Sequence, residues 1–182
     1  MRMKRLFSTF VTICLTVIAY GQTISGSFEG LVQEGRAMFE VDFSQAKLFG
    51  MSEEDFAVYE EDWDKDRSAV VENIEENISA KIRGQVRVPS SSETTYKIKI
   101  QVLSVSSIGE FVCDAYILNG NQVEASIKNI RSEGAFLRFS TKLRMMKDGA
   151  RHFGKLAGQL LKEELKNAKR VIKKNEPLYQ SA

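Results

Sequence analysis

Apolar and polar residues alternate along two segments in the middle of the chain, at 96–102 and 122–130, and between them the segment 111–118 carries an apolar residue at every second position, from Phe111 to Ile117. This period of two is typical of half-buried β-strands. Between the segments 111–118 and 122–130, Asn119-Gly120 is the dipeptide most characteristic of a tight hairpin turn. The segment 111–118 is apolar at almost every position, as expected for a central strand that is covered on both faces. The pattern therefore predicts an antiparallel β-meander.

The part of the chain before the meander is predicted to hold one strand and two helices. Alternation over 36–43 indicates the strand. Ser52 is followed three positions later by Asp55, which is the spacing of a helix N-cap, and a short helix is predicted through Tyr59. A longer helix is predicted from about residue 68 to residue 83. Its buried stripe would be Val71, Ile74, Ile78 and Ile82.

A long helix is predicted to close the chain, from about residue 140 to beyond Ala168. At 100° per residue, one face of this helix is apolar over several turns. That face consists of Leu143, Met146, Ala150, Phe153, Ala157 and Leu160. The order strand–helix–meander–helix predicts an α+β fold, in which two main helices pack on an antiparallel sheet of four to five strands.

Residues 1–21 have the pattern of a secretory signal peptide. A cationic start precedes an apolar run over 6–19, and small residues at Ala19 and Gly21 stand where a signal peptidase recognises its site. The run has roughly 14 residues, fewer than the about 20 that are needed to cross a bilayer. We therefore expect export, with the mature chain starting at Gln22. It would work in the periplasm or outside the cell, either soluble or peripherally associated with the outer membrane.

The rest of the chain is predicted to form one domain with short flanking segments. Residues 22–35 are rich in Gly, Ser and Gln, and this composition predicts a flexible tether. Residues 36–175 are expected to form a single α+β domain, since their number is enough for one hydrophobic core and no internal repeat is present. Residues 176–182 are expected to be a disordered tail.

Charge and cysteine content argue against two common roles. The full chain has 26 Lys and Arg against 24 Asp and Glu, and loss of the three leader cations leaves 23 against 24, a net charge of about −1. This balance gives no reason to expect a nucleic-acid partner. Cys14 lies in the leader without the small-residue box of a lipoprotein. Cys113 would then be alone on an apolar strand face, where no intramolecular disulfide can form and a thiol is inert.

Candidate catalytic and cofactor motifs are incomplete. Residues 149–155 match a phosphate-binding loop, but Leu156 stands where the Ser or Thr that would hold magnesium is needed. In the alternative interpretation, Gly154 and Gly158 let the last helix lie close to a neighbouring element. His152 is the single histidine, so every His-based site would depend on that residue. We therefore predict no cofactor and no catalytic residue.

An acidic segment over 53–66 surrounds the single tryptophan, Trp63. Asp62, Asp64 and Asp66 have the alternate spacing that begins a calcium loop, but the glycine and the bidentate glutamate that such a loop needs are absent. No metal ligand is therefore predicted, although the sequence leaves calcium binding by this turn open. Trp63 is either an exposed recognition aromatic or an anchor that holds the acidic turn on the core. The carboxylates themselves are either solvated or docked against the last helix.

Seven cations of the last helix fall within a narrow arc on the side away from its apolar face. They are Arg144, Arg151, Lys155, Lys162, Lys166, Lys169 and Lys173. Such a stripe suits an anionic surface, for example lipid headgroups, an acidic glycan or an acidic protein; the alternative is an ordinary solvated helix face. The candidate binding residues are Asp62, Trp63, Asp64, Arg151, Lys155 and Lys162.

Three short stretches resemble an uncharacterised family of secreted Gram-negative envelope proteins. They are 41–44 (Val-Asp-Phe-Ser), 50–56 (Gly-Met-Ser-Glu-Glu-Asp-Phe) and 59–66 (Tyr-Glu-Glu-Asp-Trp-Asp-Lys-Asp), and the stretch 147–156 resembles that family's last helix. More remotely, the order of elements is similar to domains of the curli-secretion lipoprotein and of lipoprotein activators of cell-wall synthases. These resemblances imply a non-catalytic envelope module that binds other proteins, here without a lipidation cysteine.

The predicted function is therefore that of an exported, non-catalytic envelope or periplasmic protein that acts as a protein-interaction module. Its expected partner is another envelope protein, and neither nucleic-acid binding nor stable membrane insertion is expected. The oligomeric state and the pathway stay open. The alternative is a carboxylate-dependent hydrolase of envelope polymers. Such an enzyme needs two acidic side chains that converge in a pocket, with the pKa of at least one of them raised.

Overall fold

A computed structural model describes residues 21–88, 94–134 and 141–175 of the chain. The strands are β1 (Thr23–Gly26), β2 (Met38–Asp42), β3 (Lys47–Leu48), β4 (Met51–Ser52), β5 (Tyr96–Val105), β6 (Phe111–Asn119) and β7 (Gln122–Arg131). The helices are α1 (Glu29–Glu34), α2 (Glu53–Tyr59), α3 (Trp63–Ile82) and α4 (Lys142–Asn175). Apart from Gly21, the predicted signal peptide lies outside the described residues, as does the predicted tail, so both remain predictions.

The described strands form one seven-stranded sheet in the order β1-β7-β6-β5-β3-β4, and β2 also pairs with β5. Strands β5, β6 and β7 are antiparallel neighbours, whereas β2 and β3 run parallel to β5 along its other side. The α+β class and the meander are therefore confirmed. The sheet is larger than the four to five strands predicted, because β1 has four residues, β3 and β4 have two residues each, and none of the three shows a readable period.

The central position of β6 is confirmed, but the prediction that both of its faces are covered is wrong. Phe111, Cys113, Ala115 and Ile117 are buried against the helices. On the other face, which we call the outer face of the sheet, Tyr116 and Leu118 are only half-buried. Lys99 and Lys97 of β5 are their partners in the strand register, and the aliphatic stems of lysines can shield apolar side chains.

Strand β7 departs from strict alternation because its register with β6 shifts twice. Val123, an apolar position of the alternating pattern over 122–130 and so expected on the buried side, is 52% exposed. Further along, Ile127 and Ile130 are both fully buried although three positions separate them. An extra residue makes this possible: Asn129 has a left-handed φ of 57°, and its N–H donates to Asp114 Oδ1 at 2.8 Å. Such a bulge changes which face the following side chains occupy.

Residues 22–35 contain β1 and α1, which corrects the prediction of a flexible tether. Strand β1 pairs antiparallel with β7, and the backbone hydrogen bonds of a sheet edge require no particular side chains. Phe28 and Leu31 are buried in the core. Gly35 ends α1 with a φ of 68°, and its N–H donates to the carbonyl of Leu31. Two apolar side chains and one free strand edge thus order a segment whose composition is typical of a linker.

The predicted N-cap of α2 is confirmed. The Oγ of Ser52 accepts a hydrogen bond from the N–H of Asp55 at 3.1 Å and donates to Asp55 Oδ2 at 2.6 Å. Helix α3 begins at Trp63, earlier than the predicted start near residue 68, and buries Val70 where Val71 was predicted. Helix α4 spans the predicted region, but its buried side continues through Leu161 and Leu165, while Leu160 is only half-buried.

Helices α3 and α4 lie against each other and run in the same direction. A Cβ added at Gly154 would stand 2.8 Å from the Cβ of Asn77 and 2.9 Å from the carbonyl oxygen of Ile74. A Cβ added at Gly158 would stand 2.9 Å from the Cβ of Lys81. The glycines therefore serve close helix packing. Residues 149–155 are part of a continuous helix, which leaves no phosphate-binding loop.

Candidate functional site

The seven cations of the predicted stripe lie on the side of α4 that the core does not cover. We call Arg144, Arg151, Lys155, Lys162, Lys166, Lys169 and Lys173 the basic face. Six of them are exposed, and Lys162 is half-buried. Their direction is fixed by the opposite side of the helix, where buried residues such as Ala150, Phe153 and Leu161 are anchored in the core.

Most of the basic face makes no ion pair in the part of the chain that the structure describes. The exception is Arg151, whose Nη2 lies 2.7 Å from Asp148 Oδ1. The backbone carbonyl of Lys162 accepts a hydrogen bond from Gln85 Nε2 at 3.4 Å, and this contact does not involve the ammonium group. The other six cations therefore have no described carboxylate within ion-pair distance, and their fields add.

One part of the basic face borders a cleft of about 880 Å³. The cleft is lined by Lys155, His152, Leu156 and Leu160 of α4 and by the end of β7, including Arg131. The charge of Arg131 is balanced by Glu110, at 3.2 Å between Nη1 and Oε1. Cationic and apolar side chains therefore adjoin at Lys155, an arrangement that suits a partner side chain with an apolar stem and an acidic end.

Trp63 belongs to the core, which corrects its assignment as a binding residue. Its side chain is 2% exposed and packs edge-on against Phe43 and Phe56, with ring centroids 5.8 and 5.0 Å away. The flanking Asp62 and Asp64 are exposed. Of the two predicted alternatives, the anchor is therefore what the structure shows, and the indole is not available to a partner.

One carboxylate of the acidic turn docks on the last helix. Asp66 is buried, and its Oδ1 accepts a hydrogen bond from Lys147 Nζ at 2.6 Å. Lys147 is not part of the basic face. Asp62 and Asp64 stay exposed while Asp66 is held in this ion pair, so the three carboxylates do not form a calcium loop. Within the described ranges, no three His, Cys, Asp or Glu side chains are grouped to hold a metal ion.

Three acidic residues that were not singled out from the sequence share a groove on α3. Glu72, Glu75 and Glu76 line it together with Arg67 and Arg83, and its volume is about 950 Å³. Partial burial, together with the nearby charges of Glu72 and Glu76, raises the pKa of the Glu75 carboxyl. The signal in the sequence is the spacing i, i+3 and i+4, which places all three on one side of a helix.

Cys113 has no catalytic character. It is fully buried on β6, and this burial raises the pKa of its thiol well above the usual value. Because the thiolate is the reactive form, a thiol that stays protonated in the core is inert. The sequence placed Cys113 on an apolar strand face, and the structure places it there.

The structure also reveals an aromatic corner that the sequence pattern missed. Phe49 has a left-handed φ of 51° and stacks on Phe56, with centroids 5.7 Å apart. Lys142 Nζ lies 3.8 Å from the centroid of the Tyr59 ring, a cation–π contact that joins α2 to the start of α4. Tyr59 and its neighbour Val58 are exposed. The hairpin of β3 and β4 that carries Phe49 is too short to produce a readable pattern.

The outer face of the sheet carries a network of ion pairs. Lys99 Nζ lies 2.8 Å from Asp42 Oδ2 and 3.3 Å from Glu40 Oε1, and Lys97 Nζ lies 2.6 Å from Glu40 Oε2. The hydrogen bond from Lys99 lowers the pKa of Asp42 to about 2. Paired charges on adjacent strands stabilise the pairing of β2 with β5, so this network has a structural role.

Comparison with known proteins gives one distant structural similarity. No family model matches the chain, and no curated protein matches it. A structure of a PelC dodecamer from Paraburkholderia phytofirmans is similar over 74% of this chain and 96% of that one, with 13% sequence identity and a TM-score of 0.36. No helix among the described residues is both long enough and apolar enough to span a membrane.

Proposed function

We propose that the chain is an exported, non-catalytic interaction module of the cell envelope, and that it binds its partner through the basic face of α4. The observation that carries this proposal is the row of exposed cations on α4, of which only Arg151 makes an ion pair with a described residue. Export is part of the proposal and rests on the pattern of residues 1–21.

The basic face is suited to recognition because it is presented on a rigid element. Close contact at Gly154 and Gly158 fixes α4 on α3, so the cations need no rearrangement of the backbone to meet a partner. A row of like charges accelerates encounter with an acidic surface and favours one orientation of it. The cleft beside Lys155 offers an apolar contact next to these charges. An acidic protein surface is therefore the partner chemistry that the face fits.

Reversing three charges at the centre of the face tests the proposal. In the triple variant Arg151→Glu, Lys155→Glu and Lys162→Glu, we expect capture of the partner by in-cell cross-linking to fall at least about tenfold, because each reversal replaces attraction by repulsion. The substituted side chains are not part of the core, so circular dichroism and the melting temperature should stay close to those of the wild type.

The matched control reverses three exposed lysines elsewhere on the molecule. Lys47→Glu, Lys65→Glu and Lys128→Glu change the net charge by the same amount and leave α4 intact. This control should retain capture. If the folded α4 triple variant captures its partner as well as the wild type does, the basic face is not the contact surface and the proposal fails.

The hydrolase is retained as a second candidate because the pKa of Glu75 is raised in a groove that it shares with Glu72 and Glu76. Its test is release of soluble fragments from purified envelope polymers. The enzyme hypothesis requires that Glu75→Gln abolish release and that substitution of the exposed Glu72 reduce it less. Absence of release by the folded wild-type protein removes this candidate.

A further inference from the structure

The last part of α4 extends past the hydrophobic core. Ala168 is the last buried residue of the helix, and residues 169–175 follow it without another. Seven helical residues span about 10 Å at 1.5 Å per residue. We call residues 169–174 the α4 tip. With Lys166 on the preceding turn, the cations here are Lys169, Arg170, Lys173 and Lys174, and no acidic residue lies among them.

The α4 tip is amphipathic, and its apolar part is not fully buried among the described residues. Val171 and Ile172 are three and four positions after Ala168, so they lie on the side of the helix that the core covers further back. Beyond the core this side opens to solvent: Val171 is 43% exposed and Ile172 is half-buried. One exposed and one half-buried aliphatic side chain are thus surrounded by cations at the end of a rigidly held helix.

This combination fits an anionic bilayer surface better than it fits the alternatives. The first alternative is that the cations only stabilise the C-terminus of the helix through its dipole. That effect does not explain the exposed Val171. An acidic glycan would use the cations and leave Val171 in water, and a soluble acidic protein would need an apolar side chain placed opposite Val171 at the end of the helix. At a bilayer, lysine and arginine meet the phosphates of the headgroups while aliphatic side chains enter the boundary with the acyl chains.

We propose that the α4 tip binds peripherally to anionic phospholipid membranes and holds the domain at the membrane surface. The proposal deepens the proposed function, and rests on it, by naming a lipid surface as the ligand for the end of the basic face. The centre of the face, at Arg151, Lys155 and Lys162, is then available to another envelope component. Two short apolar side chains give reversible attachment, since stable insertion needs far more apolar area.

Vesicle binding of the whole protein tests this inference. The wild type should bind vesicles that contain phosphatidylglycerol and should not bind vesicles of phosphatidylcholine alone, and added salt should weaken the binding. Each cation near an anionic membrane contributes about fivefold to binding, so Lys169→Glu, Arg170→Glu and Lys173→Glu together should lower it at least about 100-fold. Val171→Ser should lower it about threefold with the charge unchanged.

A control for net charge and the capture assay complete the test. Lys47→Glu, Lys65→Glu and Lys128→Glu should retain vesicle binding. Because no tip residue is buried, circular dichroism should show that the tip variants are folded. Equal binding to both vesicle types, or unchanged binding by the folded tip variant, overturns the inference. So does tip-dependent binding to soluble polyglutamate without any to vesicles. If partner capture still depends on Arg151, Lys155 and Lys162, the proposed function survives that outcome.

Discussion

Asp42 illustrates how neighbouring side chains fix the charge of a single residue on the outer face of the sheet. It accepts a hydrogen bond from Lys99 at 2.8 Å and another from the N–H of Ser44 at 2.9 Å. The Lys99 contact is the main reason that the pKa of Asp42 falls from 3.8 to about 2. A folded-state pKa below the unfolded one means that ionised Asp42 stabilises the fold above about pH 4. This stabilisation is lost as the pH falls toward 2.

Asp42→Asn should lower the free energy of unfolding by about 1–2 kcal/mol at pH 7, a range that allows for partial screening by solvent. The difference from the wild type should shrink below about pH 4, because the wild-type carboxyl is then protonated in the unfolded chain. Urea unfolding at several pH values measures both quantities. Asp64→Asn, at an exposed carboxylate without an ion pair among the described residues, is the control. A difference that does not change with pH would contradict this account.

At the residue scale, the sequence predicts burial well only where periodicity applies. Trp63 is flanked by carboxylates, and from the sequence it could lie in the core or in solvent. In a helix, successive side chains point about 100° apart, so Asp62 and Asp64 can be exposed while Trp63 is buried. The acidic composition of a segment therefore does not fix the direction of one aromatic ring. The burial of Val123 was predicted wrongly because register shifts in β7 override local alternation. The role of Phe49 was missed because it lies in a tight hairpin, where alternation does not apply.

At the element scale, the contact between α3 and α4 depends on the absence of side chains at two positions. Gly154→Ala should destabilise the fold by about 1–3 kcal/mol, because the new Cβ would lie within 3 Å of Asn77 and Ile74 and the helices would have to move apart. Chemical denaturation measures the change. Gly84→Ala is the matched control, since nothing lies within 4 Å of its added Cβ. It should be neutral or stabilising by up to about 1 kcal/mol.

An equal effect of the two alanine substitutions would show that the helices have room at Gly154. The close packing of α3 and α4, and with it the rigid presentation of the basic face, would then be wrong. A larger loss of stability from Gly154→Ala than from Gly84→Ala supports both the close packing of the helices and the rigid presentation of the basic face. This comparison also bears on the apparent phosphate-binding motif, because it locates the function of Gly154 in packing, independently of any ligand.

Long elements were predicted correctly in kind, whereas β1, α1, β3 and β4 were missed. Helices α3 and α4 and strands β5 to β7 each repeat their period several times, so their patterns are readable. Strand β1 and helix α1 contribute few buried side chains and are ordered by pairing with β7 and by contact with the core. Such tertiary contacts leave little local signal. The parallel pairing of β2 with β5 is likewise a consequence of topology, which alternation alone does not specify.

At the scale of the whole molecule, α4 serves both the core and the surface. Its apolar side packs against α3 and the sheet, and this packing directs the basic face outward and lets the α4 tip extend past the core. The cations could be assigned to one side of a helix from the sequence, since that needs only the helical period. The sequence could not predict that Trp63 is buried or that Lys155 lies beside a cleft, because both depend on how separate elements meet.

The most direct test of the account is site-specific photo-cross-linking in the native envelope. A photoreactive amino acid at the exposed Gln159, which lies between Lys155 and Lys162 and leaves both lysines intact, reports on the basic face. The same amino acid at the exposed Glu72 of α3 reports on a surface away from it. We expect a discrete adduct from position 159 and little from position 72. An adduct from position 72 with none from position 159 would contradict the claim that this protein binds its partner through the basic face of α4.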